Sequence, residues 1–510
     1  MNEVAKHEID GWLEKAVRAD LLTAGGLTED AAALKAAGAL LYPNSLRRKD
    51  DTVCCLLRLG SARALGVFGP GAGFSGESRS LPGGGRALFC ALSHENAESL
   101  RALLPWTAPS PLASQKTTIG LGDRLGVAGP GHIRTLEDRK AAPVLAQQSV
   151  RELDLTGRSY EDVLDSATWA VFQEGYERPW GADGDHLKTE EWVRTALGIG
   201  FTMITADVSD YIHGEKAALH GDELLAAYAG LPASFRRTLD AEFLSLRLTL
   251  DTGEEIRFDP EGLARAALVY GEALDHAERL YRAGVEAAGE GGFDFELSVD
   301  ETDTPTTPEA HVFVAAECRR RNLGVTSLAP RFVGEFQKGI DYIGDVKEFE
   351  KSFAVHAAVA RHFGYRISVH SGSDKFTVFP AVGRLTAGSF HIKTAGTNWL
   401  EAVLVIARLN PALYRRLHQG ALDSFERATA YYHVTTDLGK IPALEDLSDA
   451  ELPELFANSD ARQLIHITYG ELLRNTELKR DFFSCLEEHI EAYWQALQVH
   501  IGRHLDRLGI

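Results

Sequence analysis

The sequence predicts an α/β protein built on a closed (β/α)8 barrel of the TIM type. It adds an N-terminal extension, a long insert after the fourth strand and a helical C-terminal region. Three observations carry that expectation. Strand-like runs alternate with helical stretches over residues 113–405. Eight such runs can be counted, the number a closed barrel needs. Two late segments, Ser368–Lys375 and Phe390–Trp399, each carry a histidine at the end of a β-like run and then open into Ser, Gly, Thr and a lysine. A barrel gathers its strand ends around one pocket, so such ends would converge.

The eight runs are Thr117–Gly120, Pro143–Gln147, Gly181–Asp185, Phe201–Thr205, Phe293–Ser298, Val325–Ala329, Arg366–His370 and Ser389–Ile392. The third is a poor strand by propensity, since Gly-Ala-Asp-Gly-Asp lacks branched and aromatic residues. Thr307-Pro308-Glu309 reads as a helix start, with a cap and then proline in the first turn. Asn398 and Glu401 form a capping-box pattern ahead of another helix. The insert, over about 207–291, exceeds a single crossover. It reads as a hairpin, Phe243–Leu250 turning into Ile256–Phe258, and a long helix Glu261–Ala288. Residues 1–112 read as an N-terminal α/β layer or cap. Residues 406–510 read as helices packed on the barrel, ending in the amphipathic run Phe482–Leu508.

Composition narrows the function. The net charge of −20 argues against nucleic acid as a partner, because such proteins usually present a basic face. Five cysteines without a CxxC pair argue against a disulfide framework and a cysteine-rich zinc site. The run Met1–Lys15 is charged throughout and lacks the apolar stretch of a signal peptide. No 18-residue apolar run exists to span a membrane. A reducing cytoplasm is the expected compartment.

Gly71-Ala-Gly-Phe-Ser-Gly76 satisfies GxGxxG, yet the Gly- and Pro-containing stretch after it breaks any helix. A dinucleotide site needs that helix to open at once, so a loop is the better reading. Gly120–Gly126 and Gly129–His132 read as a Gly-rich turn, where Asp123 and Arg124 line the pocket or pair with each other.

Asp183-Gly-Asp185-His186-Leu-Lys188 sets carboxylate, imidazole and amine side by side, able to serve as base, metal ligand and anion contact. Taken alone it could equally be a polar loop. On the fifth strand Glu296 shares a face with Ser298, toward the barrel interior or mouth. A carboxylate buried there is costly unless it binds metal or transfers protons. The charged segment Arg331 to Asp341, including Glu335, follows the sixth strand. His370 and His391, in matching contexts on neighbouring strands, suggest metal ligands. Ser371 with Lys375, and Thr394 with Lys393, offer N–H donors and ammonium groups to an anion, phosphate or carboxylate.

The segments Phe332–Asp345, Ser368–Lys375 and His391–Trp399 resemble the tagaturonate/fructuronate epimerase family of hexuronate catabolism. The resemblance extends over roughly residues 115–440 and is strongest from Phe293 to Ala402. It implies an isomerase that interconverts D-tagaturonate and D-fructuronate and needs a divalent metal (Mn, Co, Ni, Zn or Fe). It also implies a keto-uronate as the small-molecule partner. His186, His370 and His391 would be the metal ligands, with His132, His311 and Glu335 as alternatives. Asp185 and Glu296 would be the acid/base pair. Lys393, Lys375 or Arg331 would hold the uronate carboxylate, with Lys188, Glu335, Ser371 and Thr394 also against the substrate.

Chemistry constrains the route. The two uronates differ at the carbon β to the ketone, where the carbonyl does not acidify the proton. Retro-aldol cleavage and recombination would invert that carbon with metal assistance. Transient oxidation would need a nicotinamide site, which the failed GxGxxG disfavours. A metal-dependent aldolase of class II type, acting on a sugar acid or phosphate, is the second reading. A non-catalytic sugar-acid-binding protein is the third.

Overall fold

The computed structural model describes residues 39–59, 62–69, 71, 73–80 and 86–510. The run Met1–Lys15 lies outside them. Eight parallel strands close a barrel. They are β1 (Thr117–Gly120), β2 (Ala142–Ser149), β3 (Gly181–Leu187), β4 (Met203–Asp207), β5 (Asp294–Val299), β6 (Val325–Pro330), β7 (Arg366–Val369) and β8 (Phe390–Lys393). Each pairs with its neighbours in sequence, and β8 closes on β1. All eight expected strands form, and β3 is among them despite its composition. Its glycines suit close packing: a Cβ at Gly184 would sit 3.0 Å from Leu187 Cδ1 and 3.2 Å from Ala196 Cβ on the following helix, so both neighbours would have to shift.

The barrel interior is polar. Thr205, Glu296 and Ser327 stand side by side on β4, β5 and β6. Ser368, His391 and Thr118 do so on β7, β8 and β1. All six are buried. Alternate residues such as Ile204, Phe295, Leu297, Ile367 and Ile392 point the other way into the apolar core under the helices. Each such side chain contributes roughly 1.5–3 kcal/mol of burial. The chain before β1 plugs the N-terminal end. There Leu112 N–H donates to Asp294 Oδ2 at 2.5 Å, and Arg366 Nη1 donates to the Leu112 and Gln115 carbonyls at 2.6 and 2.7 Å.

The insert contains the expected long helix, Pro260–Ala288, with Asp259 accepting from Gly262 N–H as its cap. The expected hairpin is corrected. It shrinks to Leu248–Thr249 against Glu255–Ile256, and Phe243 ends a helix, Ala233–Phe243. The buried positions Leu239 and Phe243 lie four apart, so they follow helical spacing. The capping box at Asn398 and Glu401 is also corrected. The helix Thr397–Leu409 starts at Gly396 without a side-chain cap. Asn398 instead donates to Gly122 O and Asp123 Oδ1, and Glu401 faces His500.

Among the described residues the N-terminal part is an antiparallel sheet that includes Thr52–Leu59, Ala62–Phe68 and Arg86–Cys90, followed by the helix His94–Leu103. After Gly76 comes a strand, Glu77–Ser80, where a dinucleotide loop would need a helix. The C-terminal run breaks at His489 into Thr476–Glu488 and Ile490–Leu508. The N-terminal sheet and the C-terminal helices share one apolar cluster, in which Leu56 and Val67 join Trp399, Tyr414 and Phe482. No helix among the described residues is long and apolar enough to cross a membrane.

Candidate active site

A cavity of about 370 Å³ opens at the C-terminal ends of the strands. Lys393, the last residue of β8, forms its floor. Its Nζ lies 2.5 Å from Asp185 Oδ1, 2.9 Å from Glu296 Oε1 and 3.1 Å from Asp183 Oδ2, and it donates to Thr205 Oγ1 at 2.6 Å. Burial works against a charge here, but Asp183, Asp185 and Glu296 hold the ammonium well above the usual lysine range. In return, despite burial, Lys393 pulls Asp185 and Glu296 below the usual carboxylate range. Asp183 is pushed up, because its burial outweighs Lys393.

His370, just beyond β7, bridges two carboxylates. Nε2 is 2.7 Å from Glu296 Oε1 and Nδ1 is 3.2 Å from Asp300 Oδ1. Burial opposes protonation, yet Asp300 and Glu296 raise the imidazole to about 10. The His186 ring stands 5.1 Å from that of His370. Its backbone is left-handed, with φ of 54°, and so is that of Ser371, with φ of 50°. Such strain in non-glycine residues clusters at functional sites. His186 Nδ1 is buried without a hydrogen-bond partner and faces Asp207 Oδ2 at 3.5 Å and Glu301 Oε1 at 3.8 Å. Burial would raise Asp207, but His186 and Ser209 bring it down to about 2.

Asp185, His186, Arg331, Glu335, His370, Ser371 and Lys393 line the cavity as expected residues brought together. Glu296 lies behind His370 and Lys393 and does not line it. His391 is not brought to His186 and His370. It sits deeper, in the layer of Ser368 and Thr118, with Nδ1 2.8 Å from Thr118 Oγ1, and burial lowers it to about 3. Lys188 turns to Ser209 and Asp210. The Lys375 ammonium meets the Gln337, Ile340 and Ser373 carbonyls. Thr394 bonds Gly120 O. Of the alternative ligands, His132 and His311 lie buried in helices, outside the cavity lining.

Sequence reasoning missed further residues at or behind the cavity wall. Asp300 and Glu301 follow β5 directly, and Asp207 ends β4 behind His186, so strand position could have flagged all three. Lys338 lies in the loop after β6, and Tyr431, Tyr432, His433 and His466 come from the C-terminal region. That region therefore walls the mouth, which no local sequence signal announces.

A parallel barrel whose mouth gathers carboxylates, imidazoles and cations around a polar cavity has the layout of a barrel enzyme's active site. The tagaturonate epimerase family profile matches residues 42–508. A tagaturonate/fructuronate epimerase of Thermotoga maritima is 44% identical over 471 residues, covering 92% of this chain and 96% of that protein. The native crystal structure of the fructuronate-tagaturonate epimerase UxaE from Cohnella laeviribosi is 48% identical, with a TM-score of 0.89, covering 94% of this chain and 100% of that one. A glycerol complex of the same enzyme is 49% identical, with a TM-score of 0.89, covering 94% and 98%. The chain belongs to the tagaturonate epimerase family and is a carbohydrate epimerase, an isomerase.

Proposed function

We propose that this protein interconverts D-tagaturonate and D-fructuronate in the cavity by metal-assisted retro-aldol chemistry. The spacing around His186 Nδ1 carries the metal part of the reading. Separations of 3.5 and 3.8 Å to two carboxylate oxygens are too long for hydrogen bonds and suit donors around one ion. One imidazole and two carboxylates form a mixed N/O set that fits Mn, Fe, Co, Ni or Zn. His186, Asp207 and Glu301 would hold the cation, with His370 at its flank. Bound there, it would supply Lewis-acid stabilisation to the ketone and enediolate oxygens.

In the proposed route Asp185 takes the proton of the β-hydroxyl. The bond between the α and β carbons breaks, its electron pair goes to the α carbon, and the β carbon becomes an aldehyde. The fragments are dihydroxyacetone, as its enediolate, and a three-carbon aldehyde that keeps the carboxylate. The aldehyde turns its other face, the bond re-forms, and Asp185 returns the proton. Lys393 orients Asp185 and keeps it ionised. Glu296 acts through its neighbours, holding His370 and Lys393 in place, and is a positioning residue in this scheme.

The test is conversion of D-tagaturonate by protein stripped of metal and reloaded with each candidate ion, with an aldehyde trap present. Metal-restored formation of D-fructuronate with trapped fragments supports the reading. Turnover indifferent to chelation removes the metal, and hydride exchange with a bound nicotinamide removes the retro-aldol route.

A further inference from the structure

The cavity has two unlike poles. One holds Asp185, Asp300, Glu301, His186 and His370. The other gathers Arg124, Arg151, Lys338 and His466, with Glu152 as the nearby carboxylate. Glu152 is already taken: Arg124 Nε and Nη2 reach it at 2.8 and 2.7 Å. The Arg124 guanidinium also lies 3.9 Å from the Tyr469 ring centroid, a cation–π contact. Its Nη1 is left buried with no partner.

Lys338 has no carboxylate within ion-pairing distance among the described residues, and its ammonium lies near Arg124 and Arg151. Both ring nitrogens of His466 are buried without partners. Burial first, and then the charges of Arg124 and Lys338, keep that imidazole neutral, so one nitrogen can donate. Three cations thus gather around Glu152, with Asp185 and Glu301 across the cavity as the next carboxylates that act on Lys338 and Arg151. Buried donors left unpaired, as Arg124 Nη1 and a His466 ring N–H are, are costly unless a ligand completes them.

We propose that Lys338, Arg124 and His466 form the subsite for the substrate carboxylate, and that this anchor retains the aldehyde fragment while it turns. The inference rests on the retro-aldol reading only in its second half. In that route the carboxylate stays on the aldehyde, so a fixed carboxylate is the pivot that permits rotation and prevents escape. The same site without such a pivot would release fragments as an aldolase does. The subsite also replaces the expected carboxylate contacts of Lys393 and Lys375, since the first is enclosed by three carboxylates and the second by three carbonyls.

Two measurements on the full-length, metal-loaded protein test this. The first is calorimetric titration with D-glycerate, a stable analogue of the aldehyde fragment, and with uncharged glycerol. K338M should weaken D-glycerate about 10–100-fold, as expected for a lost charge-assisted bond, while K338R restores most of the affinity. Equal weakening of glycerol, or no change for D-glycerate, overturns the subsite. The second is the preference for D-tagaturonate over D-tagatose, together with free dihydroxyacetone released per turnover. K338M should lower the preference by about 10–100-fold and raise the leak. A lowered preference without a leak overturns the retention role alone. If the wild-type protein epimerises neither sugar, the functional reading falls, and the D-glycerate titration still decides the subsite.

Discussion

Lys375 Nζ donates to the Gln337 carbonyl at 2.9 Å, so this lysine braces the loop that carries Lys338. Its other two donors meet Ile340 O at 2.6 Å and Ser373 O at 2.8 Å, which uses all three N–H bonds of an ammonium. Gln337 is held from the opposite side by Thr435 and Gln463 of the C-terminal region. Lys375→Met leaves buried carbonyls unpaired. It should cost about 2–3 kcal/mol of stability and loosen Lys338. Denaturant unfolding checks the first effect, and a raised KM for D-tagaturonate checks the second. A variant with wild-type stability would remove the bracing role.

The metal set gives a second expectation. Asp207→Asn should lower cation affinity by at least about 10–100-fold, the effect of losing even an indirect partner of a ligand. Wild-type protein should melt at higher temperature when Mn or Co is added, because binding to the folded state alone stabilises it. In D207N that rise should shrink or vanish, and bound metal after gel filtration should fall. An unchanged rise would move the ion away from His186, Asp207 and Glu301.

Why Lys393 and Lys375 differ explains what the sequence conceals. Both follow a strand-end histidine and sit among Ser, Gly and Thr. Lys393 is still in β8 and points into the barrel, where register against β1 fixes its direction. Lys375 comes after Ser371 and Asp374, both with positive φ, which turn the chain away from the cavity. Alternation along a strand is a local property, so the eight strands and the inward Asp185 and Lys393 could be read directly. Loop direction depends on distant packing. Arg462 and His500 from the C-terminal helices clamp Asp374 in its turn, and nothing near Asp374 in the sequence announces them. Lys338 and His466 were hidden for the same reason.

That clamp predicts a pH dependence of stability. Asp374 Oδ1 is 2.5 Å from His500 Nε2, Oδ2 is 2.7 Å from Arg462, and His500 Nδ1 is 3.1 Å from Glu401. Asp374 N–H donates to His504 Nε2, so this cluster is closed by its own bonds. Burial disfavours the His500 cation, but Glu401 and Asp374 raise its pKa. A raised histidine contributes stability that is complete below the unfolded pKa near 6.5 and fades as pH rises through the folded value. Asp374 is depressed, against burial, by His500 and Arg462, so its contribution fades only as pH falls below about 3.9. Between pH 6 and pH 9 the wild type should therefore lose melting temperature relative to His500→Gln, whatever slope the other histidines give both proteins. Parallel curves for the two proteins would exclude His500 as the source.

Lys393 and Asp183 form a buried ion pair below the cavity, 3.1 Å apart. Asp183 is fully buried and bonded by Gln147, Thr205 and Lys393, and it does not line the cavity. Removing the lysine leaves Asp183 and Asp185 without their ammonium partner and Glu296 with His370 alone. Lys393→Met should therefore cost about 3–5 kcal/mol, the range for breaking a buried pair from one side. It should also lower kcat by at least about 100-fold, since Asp185 loses the partner that orients it. Adding Asp183→Asn removes one of the stranded charges while keeping a donor and an acceptor for Gln147 and Thr205. The double variant should recover about 1–3 kcal/mol of stability relative to K393M, a coupling within the range for residues in contact. Its kcat should stay low, because Asp185 still lacks its lysine. A double-mutant cycle by denaturant unfolding and initial rates separates the two roles. Recovery of kcat together with stability would mean that Lys393 serves the fold alone.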